Sequence, residues 1–256
     1  MKNIVFIPNI KLEDGDRSLA YEYSIKSWKH FCDKYECELV VWEDLIFPIE
    51  HMKITWQRYY LFDILDSNNI EYDQILMVDA DTVVHPNCPN FFEETDHKYC
   101  GVMNDGCYEW VTRSIRDFNK ELFTDAIPPH PSEYINGGFQ IVNKKHKKFF
   151  SVMKEYYSNN KEKIQYAIDK IKAGTDQTIV NYMLKINKVD VKILPPCYNL
   201  QDLFRKNLLH LPGHSWWPDT LEGLYSAGWM YHFNAIPQNP RHANYWIERT
   251  YKELYT

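Results

Sequence analysis

Four absences narrow what this chain can be. It has no apolar run near the roughly 18 residues at which a membrane-spanning helix becomes credible. Ile4–Ile7 is short and runs into Pro8, which suits a first strand rather than the apolar centre of a secretory signal. It has no surplus of positive charge: 29 Lys and Arg stand against 35 Asp and Glu, a formal net charge of −6. That balance argues against nucleic acid as a partner. Six cysteines (Cys32, Cys37, Cys88, Cys100, Cys107 and Cys197) include no C-x-x-C pair. A chain of 256 residues needs no disulfide staples. Reduced thiols and a cytoplasmic location are expected. Finally, there are no repeats, no flexible linker and no low-complexity tract, so residues 1–256 read as one domain.

What is present is an ordinary globular composition with an aromatic excess. Hydrophobic residues make up 45% and charged residues 25% of the chain, while aromatics reach 16%, with 19 Tyr and 8 Trp. Aromatic faces suit sugar rings, although most of them serve packing. Short apolar runs alternate with helical periodicity through the first half. Ile4–Pro8 reads as a strand, Arg17–Tyr35 as an amphipathic helix, Glu38–Trp42 as a strand and Lys53–Ser67 as a helix, before the strand that ends at Asp79. This order predicts an α/β fold with a mostly parallel, Rossmann-like sheet flanked by helices. Further on, the pattern gives strands at Tyr99–Met103, Tyr134–Asn143 and Val189–Leu194. It gives helices at Glu109–Phe123, after Gly174-Thr175 (Thr175 as the N-cap), and over a stripe from Ala243 to Leu254. Residues 195–240 read as a loop-rich lid. The run Lys144, Lys145, Lys147, Lys148 reads as a solvated face.

The segment Ile75-Leu76-Met77-Val78-Asp79-Ala80-Asp81 is the most informative stretch. A buried strand that stops at two carboxylates has to satisfy them, and a cation does so. In extended backbone, residues i and i+2 share one side with α-carbons roughly 6.5 Å apart, so Asp79 and Asp81 could share one divalent ion. Alternatively, Asp79 caps a turn and Asp81 is solvated.

Three more motifs follow in order: Asn136-Gly137-Gly138-Phe139-Gln140, Gly174-Thr175-Asp176-Gln177, and Tyr231-His232-Phe233-Asn234. The ordered set resembles the GT-A-type nucleotide-sugar glycosyltransferases, especially the retaining group (family 8-like) that includes glycogenin and the lipooligosaccharide galactosyltransferases. The resemblance implies a single GT-A-like domain, with a nucleotide-binding half over about 1–105 and an acceptor and lid half over about 106–256. It implies transfer of a sugar, with retention, from a nucleotide-diphosphate sugar (UDP-linked) to a glycan, glycolipid or other hydroxyl acceptor. It further implies Asp79, Asp81 and His232 as ligands of Mn2+, with Mg2+ the poorer fit to an imidazole. Asp79, Ala80 and Asp81 would form the donor-binding D-x-D, Asn136, Gly137 and Gly138 would line the donor-sugar pocket, and Arg58 would contact the donor. Pro8 and Asn9 would sit beside the nucleobase. Asp176 and Gln177 would flank the anomeric carbon as the catalytic pair. The chain departs from the group after His232, where Asn234-Ala235-Ile236-Pro237 and then Arg241 replace the usual lysine-bearing ending.

Each residue also has a plainer reading: His232 as a hydrogen-bonded core histidine (His210, His214 and His242 being rivals for its ligand role), Asp176 as a first-turn acid, Arg58 as an ion-pair partner, and Gly137-Gly138 as a bulge, while Trp216 and Trp217 read as either an acceptor-sugar platform or lid packing. Two other functions fit the D-x-D. One is a haloacid-dehalogenase-type phosphatase with Asp79 as nucleophile and Asp81 as acid and base. The other is a non-catalytic sugar- or nucleotide-binding module.

Overall fold

Apolar residues on both sides of four strands build the centre of the molecule, whose computed structural model describes residues 2–10, 19–105, 107–172, 176–201, 225–236 and 243–256. In β1 (Lys2–Pro8), Ile4 and Phe6 enter one core and Val5 and Ile7 another. In β3 (Tyr72–Val78), Ile75 and Met77 likewise oppose Leu76 and Val78. Burial on both faces marks central strands covered by helices on each side. With β2 (Glu38–Trp42), β5 (Tyr99–Met103), β6 (Ile135–Asn143) and β7 (Val191–Leu194), they form a sheet in the order β2-β1-β3-β6-β5-β7. Within it β6 runs antiparallel to both neighbours, and the remaining pairings are parallel. The expected mostly parallel α/β sheet is therefore present.

The reversed strand matters for the site. Because β6 points the other way, its first residues lie beside the C-terminal ends of β3 and β5. Val78 pairs with Phe139, and the Asp79 N–H donates to the Gly138 carbonyl at 3.1 Å. The motif regions 79–81 and 136–138, together with Asn104 just past β5, thus share one sheet edge, where open α/β sheets bind ligands.

One face of the sheet is covered by α2 (Ile54–Gln57), α3 (Leu61–Ser67), α4 (Tyr108–Leu122), α5 (Lys147–Ile171) and α6 (Gln177–Ile186). The other face is covered by α1 (Tyr21–Tyr35) through Trp28, Phe31 and Cys32, joined by Phe91, Phe92 and Tyr198. A separate two-stranded ribbon pairs β4 (Thr82–Val84) with β8 (Met230–His232), Thr82 opposite His232. Helix α7 (Ala243–Tyr255) packs Ala243, Trp246 and Ile247 against Val83 and Tyr231 of that ribbon and Phe233 just beyond it.

Several elements differ from the sequence reading. The first helix begins at Tyr21; Arg17 lies outside the described residues. The helix expected over Lys53–Ser67 is broken by a 3-10 turn, Arg58–Tyr60. Polar anchoring explains the break. Gln57 is buried and donates from Nε2 to the Phe47 and Met52 carbonyls, while Arg58 reaches across to β6. Helix α6 starts at Gln177 with Asp176, not Thr175, at the cap position. Gly174 and Thr175 lie outside the described residues, as do Arg241, Trp216, Trp217, His210, His214 and His242. The Val189 N–H closes α6 by donating to the Leu184 carbonyl at 3.0 Å, so β7 starts only at Val191. Lys144, Lys145, Lys147 and Lys148 are exposed, as expected. The six cysteines are free. Among the described residues no helix is long and apolar enough to cross a membrane.

Candidate active site

Asp79 and Asp81 do not continue the strand. They occupy the turn between β3 and β4, and the Thr82 hydroxyl fastens that turn by donating to the Asp79 carbonyl at 2.8 Å. The Trp28 indole N–H donates to the same hydroxyl at 2.8 Å, so α1 holds the turn from below. The expected i, i+2 geometry of extended backbone is therefore replaced by a turn, yet the acids still converge. The ribbon brings His232 between them. Its Nε2 lies 3.2 Å from Asp81 Oδ1 and 3.7 Å from Asp79 Oδ2. One ligand atom from each of the three residues falls within 4.8 Å of the others. Two hard oxygens and one imidazole nitrogen form a donor set suited to a first-row divalent cation.

Backbone bareness on β6 makes this approach possible. A Cβ on Gly138 would stand 2.4 Å from His232 Cε1 and 2.6 Å from Asp79 Oδ2. Gly137 is different: a Cβ there would meet Gln177 Oε1 at an ordinary 3.6 Å. β6 stays in register with β3 over Phe139–Asn143, while against β5 the register shifts across the stretch that holds the double glycine, between Gly101↔Gln140 and Met103↔Ile135. It is thus both a close-approach site and, towards β5, an irregularity.

Arg58 joins the paired acids to the second acidic motif. Its Nη2 lies 2.9 Å from Asp79 Oδ1, its Nη1 donates to the Gly137 carbonyl at 2.6 Å, and its Nε lies 3.7 Å from Asp176 Oδ2. Burial works against the guanidinium charge, but Asp79 and Asp176 outweigh it and hold the Arg58 pKa above its usual value. Tyr59, fully buried, donates its hydroxyl to Asp176 Oδ2 at 3.2 Å. Burial first, and then the Asp176 charge, push its phenol well above its usual range, so it stays a donor.

Next to this charged group lies a cluster of amides. Gln177 Oε1 accepts from the Gly137 N–H at 2.9 Å and from Asn136 Nδ2 at 3.3 Å. Asn136 Oδ1 accepts from the Gly138 N–H at 2.9 Å and from Asn199 Nδ2 at 3.1 Å. Asn104, just past β5, accepts from both Asn136 Nδ2 and Gln177 Nε2 at 3.3 Å. Asn104, Asn136, Gly137, Gly138 and Gln177, with Thr55, Cys107, Trp110, Asn234 and Ala235, line a cavity of about 640 Å³ that reaches Arg58, Asp79, Asp176 and His232. Ligand pockets typically span roughly 300–1,000 Å³.

The structure places Arg58, Asp79, Asn136, Gly137, Gly138, Asp176, Gln177 and His232 around this one cavity. Asp81 contacts it through His232. Pro8 and Asn9 end β1 at the same sheet edge but are not among the cavity's lining residues. Asn9 is buried and donates from Nδ2 to Glu43 Oε1 at 3.1 Å. Sequence reasoning missed Tyr59, Asn104, Cys107 and Trp110. For Asn104 a usable signal existed: it directly follows a strand, at the edge where such sheets bind ligands.

No family model and no curated protein matches the sequence. Solved structures do. A glycosyltransferase involved in the glycosylation of the major capsid of PBCV-1 superposes with a TM-score of 0.58 at 11% identity, covering 97% of this chain and 100% of its own. The chain has the GT-A glycosyltransferase fold. The Streptococcus pneumoniae TIGR4 glycosyltransferase GlyE follows at a TM-score of 0.54 and 14% identity; this chain is covered fully and spans 60% of that one. Mouse xyloside xylosyltransferase 1 gives 0.50 at 14% identity, over 92% of this chain and 99% of its own. In the phosphatase reading the paired acids should follow the first strand. They follow β3 instead, and the similar structures are glycosyltransferases.

Proposed function

We propose that this chain transfers a glycosyl group from a nucleotide-diphosphate sugar, UDP-linked, to a hydroxyl of a glycan, glycolipid or other acceptor, with retention. Residues 1–256 act as one domain, the first 105 or so binding the nucleotide. One observation carries the reading: Asp79, Asp81 and His232 meet within 4.8 Å beside a cavity of about 640 Å³ in a glycosyltransferase fold. Fold alone would not suffice, since folds host unrelated activities.

The residues fit a divalent cation. Their donor set is mixed oxygen and nitrogen, and the bare backbone of Gly138 lets His232 and Asp79 close into the space a Cβ would need. Manganese suits an imidazole better than magnesium. When bound, such an ion supplies Lewis-acid stabilisation of the charge that develops on a departing diphosphate. The remaining work falls to the protein. Asn136 and the Gly137–Gly138 backbone form the wall against which the donor sugar rests. Asp176, oriented by Tyr59 and Arg58, faces the anomeric carbon and offsets its growing positive charge. Gln177, its carbonyl oxygen fixed by the Gly137 N–H, directs its amide along the same wall. Asp79, Asp81 and His232 would hold the cation, and the Ala80 turn between the two acids would face the donor phosphates.

A titration of UDP with and without Mn2+ tests the reading, together with a screen of nucleotide sugars for manganese-stimulated hydrolysis. Metal-dependent binding and slow cleavage of one donor are expected. No nucleoside diphosphate binding in the presence of manganese overturns it, and binding without any turnover favours the non-catalytic module.

A further inference from the structure

We infer that Arg58 makes the cation site selective against calcium, because it occupies one oxygen of Asp79 and so prevents that carboxylate from chelating an ion with both. The inference rests on the reading of Asp79, Asp81 and His232 as cation ligands.

The two oxygens of Asp79 face different partners. Oδ1 lies 2.9 Å from Arg58 Nη2, and Oδ2 lies 3.7 Å from His232 Nε2 and points to the ligand cluster. Arg58 is not poised to leave. Its Nη1 is bound to the Gly137 carbonyl at 2.6 Å, its Nε faces Asp176 at 3.7 Å, and the residue is buried. Two close contacts, to the Gly137 carbonyl and Asp79, and a longer ion pair to Asp176 hold the planar fork, so an arriving ion finds Oδ1 already taken. A guanidinium fits this role better than an ammonium, which bonds as a point charge.

The consequence follows from coordination chemistry. Calcium collects roughly 6–8 oxygens and commonly takes a carboxylate through both of its atoms. Smaller divalent ions accept one oxygen per carboxylate in an octahedral shell. With Asp79 restricted to Oδ2, the protein offers the smaller ions a usable set and denies calcium an oxygen. His232 already disfavours calcium, so the share due to Arg58 is visible only when Arg58 changes. Removing its charge strengthens binding of every divalent ion. The ratio of affinities, not either affinity alone, is therefore the readout.

The test measures binding of Mn2+ and of Ca2+, each without nucleotide, by calorimetry, and checks manganese by the loss of its free-ion EPR signal. Wild type, Arg58→Lys and Arg58→Met are compared. Wild type is expected to prefer manganese strongly. In both variants the Mn2+/Ca2+ affinity ratio is expected to fall by about tenfold or more, with calcium gaining. A ratio unchanged in the variants overturns the inference, as does a wild type that binds the two ions equally. A wild type that binds neither ion overturns the site assignment and the inference together, whereas manganese binding with an unchanged ratio overturns the inference alone. Because Arg58→Met leaves Asp176 and the Gly137 carbonyl short of a buried donor, a measurement on wild type stands beside it. In crystals soaked with manganese, Asp79 is expected to bind through Oδ2 with Arg58 still on Oδ1. A bidentate Asp79 or a displaced Arg58 overturns the inference.

Discussion

Replacing Gly138 with alanine adds one methyl group at the point where the site is tightest. The new carbon would lie 2.4 Å from His232 Cε1 and 2.6 Å from Asp79 Oδ2, well inside contact distance for both. Something must yield, and the neighbours are two of the candidate ligands. Forcing a methyl into a packed position costs about 1–3 kcal/mol. If the backbone absorbs the strain, stability falls by that amount, a drop of roughly 2–10 °C in Tm for a domain of this size. If Asp79 and His232 part instead, the strain appears as weakened cation binding, by roughly 10- to 100-fold at about 1.4 kcal/mol per decade. Gly137→Ala is the matched control, since its Cβ would rest 3.6 Å from Gln177 Oε1. Manganese calorimetry and thermal melts on both variants separate these outcomes. Gly138→Ala should lose manganese affinity, and Gly137→Ala should retain it. A Gly138→Ala protein that binds manganese as tightly as wild type would refute the claim that this glycine holds the ligands together.

Asp81→Ala should abolish manganese-dependent UDP binding while keeping Tm within a few degrees; global unfolding would make Asp81 a structural residue instead. Tyr59→Phe removes the hydroxyl that donates to Asp176 at 3.2 Å. It should cost about 1.5–3 kcal/mol in denaturant melts, the range for bonds to charged groups, and lower turnover more than donor affinity; unchanged turnover would reduce Tyr59 to packing. His146 gives a pH signature. Burial lowers its pKa to about 4, and its Nδ1 accepts from the Asn143 N–H at 3.0 Å. The fold holds the ring neutral, so its contribution is whole above about pH 6.5, the unfolded value. It is lost progressively as pH falls from there to about 4, a total of about 3 kcal/mol. His146→Gln should flatten that part of the stability profile, and an equal slope in both proteins would remove His146 as its source.

Much of this was legible in the residues, and the gaps have physical causes. The central strands declared themselves because both faces are apolar, and α7 because its stripe repeats at helical spacing. Asp79, Asp81, Asp176 and His232 stood out through the order of their motifs, not through any one of them. What escaped depends on contacts distant in sequence. The 3-10 turn at Arg58–Tyr60 exists because polar partners on β6 and the preceding loop pull residues 57–59 inward, against the uniform helical periodicity. Strand β8 is three residues long, too short to show alternation, and is defined by pairing with β4. Asn104 reads locally as a turn residue. It becomes part of a wall only when β5 lies beside β6.

The β4–β8 ribbon imposes an order on assembly. Two of the three candidate ligands lie early in the chain and the third is residue 232, on a strand that pairs with β4, which directly follows the two carboxylates. During synthesis, the paired carboxylates emerge long before the imidazole. A nascent or truncated chain that stops short of Met230 carries the two carboxylates without the imidazole, so the three candidate ligands can meet only once β8 has been made.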